Sequence, residues 1–193
     1  MNCSKISAVI LAAGQSERLG SPKQLIQWQG TTLLDYTIGC IRESGIVDIV
    51  LVLGAHVEKI KKAVKLSDLR IVVNASWQTG KAGSIRAGVN AISPDAEGIM
   101  IFLCDQPYLT SDLIKAILKV GKDSKENIIA PVVGEQIINP VLFKKEVFSD
   151  FYLLQGEEGG KNLFKNHSIR RVPWKDTRIL LDIDTPDDLE KLS

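Results

Sequence analysis

The sequence predicts an α/β fold: a three-layer α/β/α sandwich around a mostly parallel, mixed central sheet. Short apolar, β-branched runs alternate with segments of helical period. The runs are continuously apolar, as in strands covered on both faces. Gly, Pro, Ser and Thr punctuate the joins. Strand–helix–strand units of this kind wind right-handed and place helices on both faces of the sheet. The 193 residues suffice for one domain, 1–193, and the 45% hydrophobic content excludes a disordered chain.

Residues 6–12 form the first predicted strand. Residues 32–44 follow as a helix, with Leu33, Leu34, Ile38 and Ile41 at helical spacing and Gly45 as its stop. Residues 47–53 are the second strand and 56–64 a short basic helix, whose lysines give it a solvated face. Residues 69–73 are the third strand, buried like the others. Residues 82–91 are a helix ahead of Ser93-Pro94, and 98–103 the fourth strand. Residues 110–120 are a helix, capped by Thr110 or Ser111 and ended by Gly121. Residues 127–131 are the fifth strand.

After Pro131 the rhythm changes. Residues 132–143 read as a hairpin-like excursion turning at Gly134-Glu135. Residues 157–166 are a helix, and 169–172 and 178–181 late strands. Residues 186–192 form a terminal helix with Thr185 as its cap and Pro186 at its first position.

Bulk properties exclude several classes. Lys and Arg number 24 against 23 Asp and Glu, a net charge of +1. Nucleic-acid binding needs a larger excess, so an anionic ligand is met locally. Cys3, Cys40 and Cys104 are far apart, with no CxxC pair, and read as reduced thiols of a cytoplasmic protein. No signal-peptide pattern and no membrane-length apolar run is present. His56 and His167 share no metal-ligand spacing and read as surface residues.

Chemistry concentrates at the carboxyl ends of the predicted strands, where open α/β sheets bind ligands. The first strand runs into Leu11-Ala12-Ala13-Gly14, and small residues continue at Ser16, Gly20 and Ser21. Small residues admit close backbone approach, and successive N–H groups can face phosphate oxygens. Arg18 and Lys23 add charge. The loop is neither a Walker loop nor a dinucleotide fingerprint. Its spacing suits both a phosphate cradle and an ordinary charged turn. The fourth strand ends in Cys104-Asp105-Gln106-Pro107. Asp105 suits Mg²⁺, which favours one or two carboxylates plus substrate phosphates, and equally suits an aspartate turn. Cys104 reads as an inert buried thiol.

Leu11-Ala12-Ala13-Gly14-x-Ser16-x-Arg18-Leu19-Gly20-x-Pro22-Lys23, Cys104-Asp105-x-Pro107 and Asp182-Ile183-Asp184-Thr185-Pro186-Asp187-Asp188 together resemble the MobA-like NTP transferase superfamily. Within it they resemble the molybdenum cofactor cytidylyltransferase branch. The resemblance implies a nucleotide-diphospho-sugar transferase-like Rossmann variant. It implies that Leu11, Ala12, Ala13 and Gly14 hold base and phosphates, and that Arg18 and Lys23 bind the triphosphate, with Lys23 stabilising charge at the α-phosphate. Asp105 and Asp184 become the Mg²⁺ ligands, Asp182 being the weaker choice for the second. Asn74 and Ser84 would contact the nucleotide, and Trp77 would pack. Asn139, in Asn139-Pro140-Val141-Leu142-Phe143, and Lys161, in a Gly-x-x-Gly-x-Lys loop, would meet the acceptor. Lys81-Ala82-Gly83 and Ile137-Ile138 depart from the family pattern.

The implied reaction transfers CMP from CTP to molybdopterin-type molybdenum cofactor and releases pyrophosphate, with a molybdenum hydroxylase as a possible client. Three alternatives stand beside it. One is the guanylyltransferase relative, against which Ala13 argues. Another is a cytidylyltransferase of a sugar or polyol phosphate. The third is a non-catalytic, cofactor-carrying maturation partner.

Overall fold

The sheet grows outward from β1 (Ile6–Ala12). The computed structural model describes residues 5–192, so Cys3 lies outside the described residues. β1 pairs in parallel with β4 (Asp48–Leu53) on one side and β6 (Gly98–Leu103) on the other. β4 carries β5 (Arg70–Val73), again in parallel. The chain order therefore reverses at β1, which makes its carboxyl end a topological switch point.

The far half supplies the mixed character. β9 (Val141–Lys144) runs antiparallel between β6 and β7 (Ile128–Val133), and β10 (Ile169–Pro173) closes that edge in parallel with β7. The predicted excursion is real: Gly134, at φ +59°, turns β7 into β8 (Gln136–Ile137), which pairs back on it. β2 (Gln27–Trp28) and β3 (Thr31–Thr32) form a separate small hairpin that the sequence reading missed.

Two cores follow from strand alternation. Ile6, Ala8, Ile10 and Ala12 of β1 point to one face. There they meet Leu34, Ile38 and Ile41 of α1 (Leu33–Glu43), Ile60 of α2 (Val57–Ala63) and Leu113, Ile114 and Ile117 of α4 (Ser111–Asp123). Val9 points to the other, against Ala82, Ile85 and Val89 of α3 (Lys81–Val89) and against Val147 and Phe151 of a 3₁₀ segment, Lys145–Leu153. This is the predicted three-layer sandwich.

Helix starts agree with the sequence. Thr32 caps α1 by accepting from Asp35 N at 3.0 Å, and Thr110 caps α4 by accepting from Leu113 N at 3.2 Å. Gly45, at φ +92°, ends α1. Gly121 does not end α4, which continues to Asp123. It is glycine because a Cβ there would lie 2.7 Å from Leu142 Cδ2.

Other expectations are corrected. Residues 178–181 are not a strand. Thr177–Leu180 is a 3₁₀ turn capped by Asp176, whose Oδ1 accepts from Arg178 N at 3.1 Å. Residues 157–166 contain a 3₁₀ segment, Gly160–Asn166, rather than an α-helix, and the terminal helix α5 (Pro186–Leu189) is a single turn. β5 is an edge strand, so Ile71 and Val73 are exposed rather than buried. His167 is no free surface residue. Its Nε2 meets Asp150 Oδ2 at 2.7 Å and its side chain is 11% exposed. His56 is half-buried, with Nε2 2.9 Å from Gln15 O. Cys40 and Cys104 are free buried thiols. Among the described residues, no helix is long and apolar enough to cross a membrane.

α3 lies close on the sheet because of Gly88, where a Cβ would stand 2.4 Å from Val9 Cγ1 and 3.1 Å from Val52 Cγ2. Gly88→Ala should therefore overpack this contact and destabilise the protein by about 1–3 kcal/mol. A lowered urea midpoint at unchanged m-value is the expected readout.

Candidate functional site

A cavity of about 660 Å³ opens at the carboxyl ends of β1 and β6. Leu11, Ala13, Gly14, Arg18, Lys23, Ser84, Asp105, Asn139, Lys161 and Asp184 all line it. Two singled-out residues stand behind the wall. Ala12 is buried, and Asn74 acts on the cavity through Ser84.

The first wall is the loop after β1. Ala13 O accepts from Ala55 N at 3.0 Å, and Ala12 O accepts from the buried Gln24 Nε2 at 3.0 Å. Each trans peptide sends its N–H opposite to its carbonyl. Tying these two carbonyls into the protein thus leaves the following amides turned the other way. Among the described residues, the N–H groups of Gly14, Gln15 and Ser16 donate to no backbone carbonyl. Ser16 holds a left-handed conformation at φ 57°, and its Oγ accepts from Lys23 N at 3.2 Å, closing the loop. The result is a concave row of donors suited to an anion.

Charge is concentrated beside it. Lys23 Nζ lies 2.8 Å from Asp105 Oδ2 and 3.0 Å from Asp184 Oδ1. Arg18 Nη2 reaches Asp184 Oδ2 at 3.2 Å. Burial lowers the Lys23 pKa, but the two carboxylates outweigh it and hold the ammonium above its ordinary range. Burial raises the Asp184 carboxyl, and Lys23 and Arg18 outweigh that in turn, so it is held below its ordinary range. Asp182 stands exposed at the cavity rim; partial loss of hydration and the Asp105 carboxylate it faces push its pKa to about 6 against a hydrogen bond from Gln106. Ile183 N donates to Asp105 O at 2.8 Å, which fastens the closing segment to the strand end of β6. Burial pushes the Cys104 thiol far up, so it stays a thiol and is no nucleophile.

Two observations bear on a metal. Asp105 Oδ1 is buried with no hydrogen-bond partner among the described residues, and the Asp105 and Asp184 carboxylates share one cation, Lys23. The spare oxygen of Asp105, with Asp184 beside it, fits an ion that takes its remaining ligands from phosphate and water. Among the described residues, no group of three or more His, Cys, Asp or Glu could hold a metal unaided.

The opposite wall is α3 and a glycine-rich strap, residues 155–161. Ser84, 5% exposed, accepts from Asn74 Nδ2 at 3.0 Å, and its own O–H remains available to the cavity. Ile85, Ile101, Val141, Phe143 and Phe164 form an apolar floor, with the Phe143 and Phe164 rings stacked 6.4 Å apart. Trp77 packs against this core and also lines the cavity. The sequence reading missed Gln24, Lys81, Glu157 and the apolar floor. Strand alternation signalled Ile101, but β9 beside it is a long-range antiparallel insertion with no local signature.

A donor-rich loop, a lysine bridging two aspartates and a strand-end position coincide with a sequence match over residues 8–172 to the MobA-like NTP transferase domain. The chain belongs to the MobA-like NTP transferase family. Its fold is accordingly that of the nucleotide-sugar transferase-like nucleotidyltransferases. The chain is 34% identical over 114 residues to the nicotine blue oxidoreductase of Paenarthrobacter nicotinovorans, spanning 58% of this chain and 55% of that relative. It is 27% identical over 191 residues to the molybdenum cofactor cytidylyltransferase of Escherichia coli K12, spanning 96% and 94%. Among solved structures it is similar to Rv0371c of Mycobacterium tuberculosis H37Rv, with TM-score 0.87, 30% identity and coverage of 99% and 98%. A complex of Rv0371c with manganese gives TM-score 0.84, 28% identity and coverage of 98% and 97%.

Asn74 and Ser84 form one unit, so their effects should not add. Asn74→Ala, Ser84→Ala and the double variant should each weaken nucleotide binding by a similar factor of roughly ten, measured by calorimetry. Asp182 supplies a pH test. Its folded pKa of about 6 lies above the ordinary 3.8. The unfolded chain therefore ionises first, and stability falls as pH rises from about 4 to 6. In metal-free buffer, Asp182→Asn should raise the melting temperature relative to wild type at pH 8 and leave it unchanged at pH 4.

Proposed function

We propose that this nucleotidyltransferase moves CMP from CTP to the terminal phosphate of a molybdopterin-type cofactor, releasing pyrophosphate. The observation that carries the reading is the two-sided cavity. A polar, cation-bearing wall suited to a triphosphate faces an apolar floor of Phe143, Phe164, Ile101 and Val141 suited to a flat ring system. A polyol phosphate would leave that floor wet. Ala13 lines the cavity and is only 6% exposed, with its methyl close to Gly54. Alanine at this position, which argues against the guanylyltransferase relative, supports CTP over GTP.

The residues divide the work. The amides after β1 cradle the phosphates. Lys23 has three N–H donors and spends two on Asp105 and Asp184, leaving one for an α-phosphate oxygen. Arg18 keeps most of its fork free for the outer phosphates. Asp105 and Asp184 would hold Mg²⁺, which when bound would neutralise phosphate charge. The similarity to a protein crystallised with manganese supports a divalent ion. Asn139 lies beside the apolar floor and would position the acceptor. Attack by an acceptor phosphate oxygen on the α-phosphorus forms one P–O bond and breaks that to pyrophosphate. No covalent enzyme intermediate is needed, so catalysis is positioning and charge stabilisation.

Pyrophosphate release, assayed with Mg²⁺ and molybdopterin across the four ribonucleoside triphosphates, should favour CTP. Turnover with GTP alone would instead assign the guanylyl reaction. Asp105→Asn should lower turnover by about 10²–10³ while the protein stays folded. Undiminished cofactor delivery to a molybdenum hydroxylase by that variant would identify a carrier rather than a catalyst.

A further inference from the structure

The cations on the two walls of the cavity are in opposite states. Lys23 and Arg18 are engaged by Asp105 and Asp184. Lys81 and Lys161 line the same cavity from α3 and the strap. Neither has a carboxylate within ion-pair distance among the described residues.

Their placement is built rather than incidental. Ala82 N donates to Gly156 O at 3.0 Å, which staples the strap to the first turn of α3. Gly80 permits this, because a Cβ there would stand 2.3 Å from the Gly156 carbonyl. The Lys81 stem passes next to Gly159, whose Cβ would lie 3.4 Å from Lys81 Cδ, so the Lys81 side chain follows the strap. Gly160 lets the strap settle on Phe143, with a Cβ there only 2.7 Å from the ring. The acid Glu158 is engaged within the strap, its Oε2 accepting from Gln155 N at 2.9 Å. Glu157 is the one strap carboxylate that lines the cavity, so two cations face one anion.

We propose that Lys81 and Lys161 form a second anion subsite, which holds the phosphate monoester of the acceptor. This deepens the transferase reading and rests on it. Two lysines act as point charges and suit a dianion without demanding one orientation. The subsite adjoins the apolar floor, so one molecule with a flat body and a phosphate can fill both. Binding there breaks no ion pair of the protein, whereas a triphosphate must compete with Asp184 for Lys23 and Arg18.

The test titrates inorganic phosphate, followed by ³¹P NMR, into the full chain saturated with CTP and Mg²⁺. Lys81→Met and Lys161→Met should each weaken phosphate binding about tenfold or more, equivalent to 1.4 kcal/mol. Lys81→Arg should retain it, and CTP affinity should stay within about twofold. Phosphate binding unchanged by both methionine variants, or no phosphate binding at all, overturns the subsite. So does Lys81→Met weakening CTP while sparing phosphate. A second titration without nucleotide, in Lys23→Met, separates this inference from the choice of donor. Phosphate binding there should still depend on Lys81 and Lys161 even if CTP proves not to be the substrate, and independence from them rejects the subsite.

Discussion

One ammonium group organises the candidate site. Lys23 joins the loop after β1 to Asp105 at the end of β6 and to Asp184 in the closing segment, three stretches of chain brought together only by folding. Two carboxylates in so confined a place would repel one another and resist desolvation. The half-buried cation between them makes the arrangement tenable. The consequence reaches beyond stability. A lysine so placed is already charged and aimed before any ligand arrives, and preorganisation of this kind is what charge stabilisation requires.

The sheet explains why that lysine has partners. β1 is the strand at which chain order reverses, so the connections on its two sides diverge and leave a crevice above it. The loop that fills the crevice is held by contacts to its own backbone carbonyls. Gln24 takes the Ala12 carbonyl, Ala55 takes that of Ala13, and His56 lies against Gln15 O. These residues present the donor row without occupying it.

The two walls are chemically unlike, and this asymmetry supports the functional reading. One wall carries cations already compensated by acids. The other combines stacked aromatic rings with two lysines that make no ion pair among the described residues. The strap that brings those lysines in depends on two close approaches, at Gly80 and Gly160, each of which a larger residue would obstruct. Glycine there serves proximity as much as backbone freedom.

Much of this protein is determined locally and so is legible in its sequence. Continuous apolar runs define β1, β4 and β6, because a strand covered on both faces has no polar face to show. Thr32 and Thr110 mark helix starts through their own hydroxyls. The loop from Leu11 to Lys23 and the acids Asp105 and Asp184 stand out because short-range spacing carries their chemistry. What the sequence could not show is whatever depends on distant partners. An apolar run does not say that β9 enters antiparallel between β6 and β7, nor that β5 lies at an edge. Gly121 reads as a helix stop until Leu142 is seen against it. Residues 178–181 read as a strand until Asp176 turns the chain. Tertiary structure alone decided that Lys23 bridges Asp105 and Asp184, and that Lys81 and Lys161 share a wall with no carboxylate within ion-pair distance among the described residues. Local sequence sets which groups are present; long-range packing sets their distances, and electrostatic interaction depends on distance.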